Sequence, residues 1–326
     1  MDFTTPVKLP LHHPTIGLHS QVMLLGSCFA DHMGQRLTEL MPDKQVVVNP
    51  NGVLYNPKSM VNALRHALHR PEKEEDDLGL FQSADGLWHH WEYSTKFIAT
   101  DQDQLAAQLH LIREDTHRRL HHLDVLALTF STDTAYRLKD GEGQGLVVAN
   151  CHKQPAQRFE EITLNGQQLL QEWCEVLDRL FALRPHLQVV LTLSPYRYAK
   201  YGMHQNALIK ARLLLLMEAL CQAYTDRVYY FPAYEIVTDE LRDYRFYDTD
   251  MLHPSQQAVD YVWQRFHEWC VDPALSEYGK RKTAIERMLQ HRPMNPLPEA
   301  QRQWAMKKAE KMAEFQKWAE LWMTTH

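Results

Sequence analysis

The sequence predicts a three-layer α/β/α domain, a doubly wound parallel sheet with helices on both faces, followed by a helical C-terminal extension. Three observations predict it. Short apolar runs alternate with stretches of helical periodicity, as strands joined by crossover helices require. The chain has 326 residues, 44% hydrophobic and 23% charged, which suits one large α/β domain with appendages or two modest domains. Beyond about Asp272 the composition changes, and Pro293, Pro296 and Pro298 interrupt two helical stretches rich in Lys, Arg and Glu. Right-handed crossovers then wind the sheet in both directions. The expected division is a main domain over residues 1–271, with an insertion around 71–100, and an extension over 272–326.

Residues 21–25 read as an apolar strand running into Gly26-Ser27, after which Met33, Leu37, Leu40 and Met41 repeat at helical spacing. Residues 46–48 form a second strand, ended by the turn cluster Asn49-Pro50-Asn51-Gly52. The helix over 57–69 opens on Pro57, where a missing N–H costs nothing. Residues 71–77 read as a solvated charged loop. Residues 87–97, with Trp88, Trp91, Tyr93 and Phe97, read as a hairpin or folded insertion. A helix over 104–122 and a buried strand over 124–130 follow, then a further strand over 145–150. Leu169, Trp173, Val176, Leu177, Leu180 and Phe181 line one face of the next helix. Strands at 186–193 and 227–231 flank a helix at 206–224. Helices at 234–241 and 255–270 complete the domain, the second capped by Ser255. In the extension, helices at 275–291 and 299–323 are expected to pack back through Trp304, Met312, Phe315, Trp318 and Trp322, a dimer contact being the alternative.

Composition excludes several classes. Net charge is -6, from 35 Lys plus Arg against 41 Asp plus Glu, so no basic surplus points to nucleic acid. Apolar runs such as 213–217 fall far short of the roughly 20 residues a membrane span needs. The five cysteines are widely spaced without a C-x-x-C, which argues against a disulfide framework or zinc ribbon. The opening residues lack the plan of a signal peptide, so the expected compartment is the cytoplasm. His66/His69 and His117/His121 have ligand-like spacings but no convincing third partner, and neither metal nor cofactor is expected.

In an open parallel sheet, ligands bind beyond the carboxyl ends of the strands. Ser27 follows the first strand directly and precedes a helix, in Gly26-Ser27-Cys28-Phe29-Ala30. A hydroxyl there sits near free N–H groups and the positive end of a helix dipole, which favour negative charge on an attacked acyl group. The plainer role is a helix cap. Cys28 next to it suits packing better than attack. A second site is Asp250-Met251-Leu252-His253-Pro254-Ser255, where Pro254 keeps His253 out of helical geometry. Asp250 can fold back to accept the imidazole N–H; Asp248 is a rival. Asn150, followed by His152 and Lys153, could donate to an oxyanion or form a turn. His152 and Lys153 would contact an anionic substrate or bond their own loop. Arg197 would clamp a carboxylate or phosphate, or form an internal salt bridge. Trp88 and Trp91 would form a carbohydrate or acyl platform, or pack under the insertion.

These residues resemble a known family. Gly26-Ser27-Cys28-Phe29-Ala30 spells the motif that names the GSCFA family, itself similar to the SGNH (GDSL-like) hydrolases. The run from Asn49 to Pro57, Val148-Ala149-Asn150-Cys151-His152-Lys153, Ser194-Pro195-Tyr196-Arg197, the run from Glu240 to Tyr247 and the Asp250–Ser255 stretch look like its landmarks, in its order, and His291-Arg292-Pro293 also looks familiar. The resemblance implies an SGNH-hydrolase-like fold in which Ser27 matches the nucleophile, His253 the general base and Asp250 its orienter. The oxyanion hole would comprise the N–H of Ser27, the amide of Asn150 and a backbone N–H at Ser131, where relatives tend to carry Gly. The implied function is a serine esterase acting on small acyl esters, acetyl above all, through a covalent acyl-enzyme. An acyltransferase using the same residues, or a non-catalytic binding module, are the alternatives. The expected partner is a small acylated substrate such as an acetylated carbohydrate, with no nucleic acid or membrane.

Overall fold

The computed structural model describes residues 4–69, 79–139, 141, 143–290 and 298–325. In chain order, β1 (Val22–Gly26), α1 (Cys28–Leu40), β2 (Val46–Val48) and α2 (Pro57–Leu68) come first. A hairpin of β3 (Leu80–Gln82) and β4 (Trp88–His90), then α3 (Gln102–Leu120) and β5 (Val125–Phe130), follow. Next are β6 (Thr134–Leu138), β7 (Val147–Val148), β8 (Phe159–Thr163), α4 (Gly166–Leu183), β9 (Gln188–Leu193), α5 (Met203–Ala223) and β10 (Val228–Tyr230). The chain closes with α6 (Ala233–Glu235), which widens into a π-helical turn at Ile236–Leu241, then α7 (Gln256–Cys270), α8 (Pro273–Gln290) and α9 (Pro298–Thr325).

The main sheet has the order β10-β9-β5-β1-β2, and every pairing in it is parallel. Alternation of side chains along each strand divides the core in two. In β1, Met23 and Leu25 face α2, α4 and α5, joined by Leu126, Leu128 and Phe130 of β5 and by Trp173, Leu177 and Leu213. Val22 and Leu24 face the opposite way, with Val125 and Ala127, toward Phe29, Met33 and Leu37 of α1 and Val262 and Phe266 of α7. Each such side chain, fully buried, contributes about 1.5–3 kcal/mol. The chain winds from β1 out to β2, then returns to place β5 on the other side of β1. The sheet therefore reverses direction between β1 and β5, the crevice where doubly wound folds bind ligands.

One expected strand lies elsewhere. Residues 145–150 do not extend the parallel sheet; only Val147–Val148 is a strand, paired antiparallel with β6 in a side sheet ordered β7-β6-β8. The connection from β6 to β7 is a tight turn with positive φ at Gly141, Gly143 and Gly145, too short for the crossover that a parallel partner needs. The charged loop at 71–77 and residues 291–297 lie outside the described residues. No helix among the described residues is long and apolar enough to cross a membrane.

The extension lies on the helix that Ser27 begins. A side chain at Gly279 of α8 would meet Leu40 of α1 at 2.2 Å, so the two helices touch backbone to side chain. Lys282 of α8 donates to the carbonyls of Thr38 and Met41, which would otherwise end α1 unsatisfied. Phe315, Trp318 and Trp322 of α9 pack on the same cluster, and the Trp322 indole donates to the Ala274 carbonyl.

Candidate active site

Gly26 ends β1 where a side chain cannot fit. A Cβ there would lie 2.6 Å from the Thr129 Cβ and 2.8 Å from its carbonyl oxygen, on the neighbouring strand β5. The Gly26 N–H donates to Asn49 Oδ1 at 2.8 Å, and the Asn49 amide donates to Asp31 of α1 at 2.6 Å. The Gly26 carbonyl accepts from Leu54 N–H at 3.0 Å. Asn49 can serve because it takes a left-handed conformation, φ 46°. Gly52 follows at φ 78°, where any side chain would run into Ser94. The Asn-Pro-Asn-Gly turn thus fixes the point at which Ser27 leaves the sheet.

Ser27 occupies the cap position of α1 and does not cap it. Its side chain accepts no hydrogen bond from the first turn, and its Oγ is buried without a partner among the described residues. The residue borders a cavity of about 620 Å³ at the β1–β5 crevice. Gly26 pairs with Thr129, so Ser27 stands level with Phe130 and one step from Ser131 on the adjacent strand.

His253 borders the same cavity from the loop ahead of α7. That loop is pinned by Asp248 N–H to the His253 carbonyl, Ser255 N–H to the Phe246 carbonyl and Arg197 N–H to the Leu252 carbonyl. Asp250 Oδ1 accepts the N–H groups of Leu252 and His253, and Oδ2 meets His253 Nδ1 at 2.5 Å. The bonds from the His253 backbone and ring, then from Leu252, hold the Asp250 carboxyl down at about 2. A carboxylate so ionised can only accept, so the proton of a neutral His253 ring sits on Nδ1. Nε2 keeps its lone pair and carries no hydrogen bond among the described residues. Tyr196 packs against the ring, centroids 4.4 Å apart. Asp248 bonds the Thr249 N–H and does not reach the imidazole. Ser27 and His253 thus face one cavity, and no hydrogen bond joins them.

Asn150 reaches the cavity from the side sheet rather than from the end of a parallel strand. Its side-chain oxygen accepts the His152 N–H at 2.7 Å, and among the described residues the amide N–H₂ has no partner. His152 does not touch the cavity. It is buried, and its Nε2 donates to the His90 carbonyl at 2.9 Å, with its ring beside His89 and Phe81. Burial, and then the neighbouring His89, depress its pKa to about 4. Its role is to tie the Asn150 loop to the hairpin.

The other expected binding residues also lie outside the cavity walls. Lys153 is exposed on the turn. Arg197 donates to the Met251 carbonyl and stacks over Tyr244 and Tyr247, bracing the His253 loop. Trp91 is buried, stacked on Phe81 at 3.5 Å, and Trp88 packs near Leu80 and Phe97. Trp91 belongs to a buried cluster with Leu138, Val148 and Phe159 of the side sheet, and Trp88 is half-buried against the insertion's own cluster. Ser131 borders the cavity, but its backbone N–H is not free for an oxyanion. It donates to the Tyr55 carbonyl at 3.0 Å, and the Thr132 N–H shares that acceptor at 3.1 Å.

Sequence reasoning missed the residues that shape the cavity. Tyr55, Tyr136, Tyr196, Tyr198 and Tyr201 line it, with Lys200. The available signal was Tyr196-Arg197-Tyr198 at the carboxyl end of β9, where the tyrosines, not the arginine, face the ligand space. It also missed Lys210, fully buried in α5. Its ammonium donates to the carbonyls of Ser131 and Ser194 at 2.8 Å each and so ties the ends of β5 and β9 together. Burial lowers its pKa to about 7, against the pull of Asp133.

Fold and site define a doubly wound α/β/α protein that gathers a helix-terminal serine, an Asp–His pair and an unbonded asparagine amide at the switch point of its sheet. The chain belongs to the GSCFA family, which matches residues 21–266. No curated protein matches it. Among solved structures it is similar to a Streptococcus pneumonia protein described provisionally as a platelet activating factor, with 11% identity, covering 76% of this chain and 84% of that one at a TM-score of 0.36. It is similar also to the Clostridium thermocellum family 3 carbohydrate esterase, with 11% identity, 78% and 94% coverage and a TM-score of 0.34. A third is the family 3 carbohydrate esterase of Talaromyces cellulolyticus, with 8% identity, 80% and 98% coverage and a TM-score of 0.35. Likenesses this distant say nothing about chemistry.

Proposed function

We propose that the protein is a serine esterase that hydrolyses small acyl esters, acetyl esters foremost, through a covalent acyl-enzyme on Ser27. The observation that carries this reading is His253, held by Asp250 and with Nε2 unbonded among the described residues, bordering the same cavity as a serine that declines its capping role. In the reaction, rotation about the Ser27 Cα–Cβ bond turns the buried hydroxyl toward His253. Hydrogen bonds of this kind commonly tighten only when substrate is bound. His253 Nε2 takes the hydroxyl proton as Oγ attacks the ester carbonyl. The N–H end of α1, beginning at Ser27, and the Asn150 amide stabilise the oxyanion. The tetrahedral species collapses, the C–O bond to the alcohol breaks, and His253 returns the proton to the leaving oxygen. Water, deprotonated by the same nitrogen, then attacks the acyl-serine; the bond from the acyl carbon to Ser27 Oγ breaks, His253 returns the proton to Oγ, and the carboxylic acid departs. Asp250 stays ionised throughout and supports the imidazolium.

The cavity exceeds what an acetyl group fills. Tyrosine faces and hydroxyls suit a ring bearing both C–H and O–H groups, which favours an acylated sugar as the alcohol portion. A fluorophosphonate probe tests the reading. Labelling should map to Ser27 and vanish in Ser27→Ala; a folded wild-type protein that resists labelling would end the esterase proposal.

A further inference from the structure

With the Ser131 N–H committed to the Tyr55 carbonyl, the cavity lacks a backbone donor at the end of β5. A side-chain donor stands in the same place. Ser131 Oγ and the Tyr198 hydroxyl lie 2.9 Å apart, and both residues border the cavity. Two hydroxyls that share one hydrogen bond use one of their two protons on each other. Neither oxygen has any further acceptor among the described residues, so one proton remains to be given.

Position favours Ser131 as the one that gives it. Ser131 follows β5, which is paired with β1 so that Gly26 opposes Thr129. Adjacent strands run about 4.8 Å apart, and Ser131 therefore stands beside the segment that begins α1. Lys210 holds the Ser131 carbonyl, and Tyr55 holds its N–H, so the backbone cannot swing the side chain away. Tyr198 is itself fixed, its N–H bonded to Asn206 Oδ1 at 2.9 Å. The Lys210 ammonium lies over the Tyr198 ring, 5.3 Å from its centroid, and burial pushes the hydroxyl well above the usual phenol range, so the tyrosine keeps its proton. Either hydroxyl could donate in this bond; with Tyr198 as the donor, the serine O–H is polarised toward whatever charge develops in the cavity.

We propose that the Ser131 hydroxyl, backed by Tyr198, is the third oxyanion donor, taking the place of the backbone N–H that Tyr55 occupies. This rests on Ser27 being the nucleophile. Ser131 is then a catalytic residue and Tyr198 a positioning residue. The contrary view is that the Ser131 side chain merely narrows the pocket, and it predicts the opposite outcome on replacement by glycine.

The test measures 4-nitrophenyl acetate hydrolysis and the rate of fluorophosphonate labelling for the wild type, Ser131→Ala, Ser131→Gly, Tyr198→Phe and Ser27→Ala, with thermal melts as a folding control. Loss of one oxyanion donor typically lowers turnover by about 10²–10³-fold. Both Ser131 variants should show a fall of that order in kcat with KM nearly unchanged, and labelling should slow in parallel. Tyr198→Phe should reduce kcat by less, again without raising KM. Should a Ser131 variant melt early, Tyr198→Phe decides, because it removes one oxygen and keeps the packing. Unchanged or faster turnover in the Ser131 variants or in Tyr198→Phe, with Ser27→Ala inactive, overturns the donor assignment and leaves the esterase reading intact. Activity that survives Ser27→Ala overturns both.

Discussion

Two serines in this molecule stand one residue ahead of a helix, Ser27 bordering the cavity and Ser255 two residues beyond His253. Ser255 precedes α7 with φ -66° and ψ 163°, and its side chain accepts the Ala258 N–H. Ser27 precedes α1 with nearly the same backbone, φ -72° and ψ -178°, and accepts nothing. Asn56, Asp101 and Asn165 likewise cap the helices they begin. A cap typically contributes about 0.5–2 kcal/mol, so α1 forgoes a stabilisation that its neighbours take. The difference teaches that residue type and local backbone do not decide a serine's task. What differs is the surroundings: Gly26 and the Asn49 turn hold Ser27 against a cavity, with the first-turn donors of α1 left for another acceptor.

The comparison breaks most sharply at Ser27→Ala. Removal of a serine nucleophile costs turnover by factors of up to about 10⁶, while the absence of a capping bond means the melting temperature should hold or rise. A marked loss of stability with activity retained would show that the hydroxyl is structural after all. Asp250→Asn comes next. Replacing the orienting carboxylate by an amide lets the wrong tautomer of the imidazole form, and in the serine protease triad this costs about 10⁴ in kcat. A fall of comparable order is expected here, with Asp248→Asn doing little. Because Asp250 is held at about 2, its carboxylate stays ionised down to pH 4, and acid loss of activity above that pH does not come from protonation of Asp250.

How much of this was legible in sequence follows the range of the interactions. The parallel strands β1, β5 and β9 announce themselves as apolar runs buried on both faces. The strands β6, TAYRL, and β8, FEEIT, do not, because their charged outward positions break the apolar pattern and their pairing is made in space. The Asp250–His253 contact spans three residues and could be read locally. The fate of Ser131 could not, since its N–H partner is the carbonyl of Tyr55, brought near only by the Asn49 turn. The burial of His152 was not legible for the same reason: the hairpin whose His90 carbonyl it bonds lies far back in the chain. Of the cavity tyrosines, Tyr196, Tyr198 and Tyr201 stand close together after β9, while Tyr55 and Tyr136 come from distant segments and join them only on folding. The GSCFA motif itself was legible at once, yet Cys28 and Phe29 within it serve the cavity wall and the core rather than the chemistry.

Acid sharpens the contrast between the two borders of the site. The Asn150 wall rests on His152, whose folded pKa is about 4 against about 6.5 for a free imidazole. Between those values the unfolded chain binds the proton and the folded chain does not, so stability rises with pH and falls as pH drops. The fall begins near pH 6.5 and levels off below pH 4, amounting to at most about 3 kcal/mol. Thermal melts from pH 7 to 4 should show it, and His152→Phe, though less stable at neutral pH, should flatten the slope. An equal slope in that variant would move the titration to another group.

The smallest effect is the one that completes the pairing of serines. Ser255→Ala removes a cap whose bond is long, 3.3 Å, so the cost belongs at the lower end of the usual range, about 0.5–1 kcal/mol. The His253 loop should survive it. The Ser255 N–H still donates to the Phe246 carbonyl, Asp248 still holds the His253 carbonyl, and Asp250 still holds the ring. Turnover of the test ester should therefore change far less than in Ser27→Ala, while the melting temperature drops where that of Ser27→Ala does not. If Ser255→Ala instead abolishes turnover with its stability intact, the hydroxyl beside His253 has a part in the chemistry, and the division of labour between the two serines has been drawn in the wrong place.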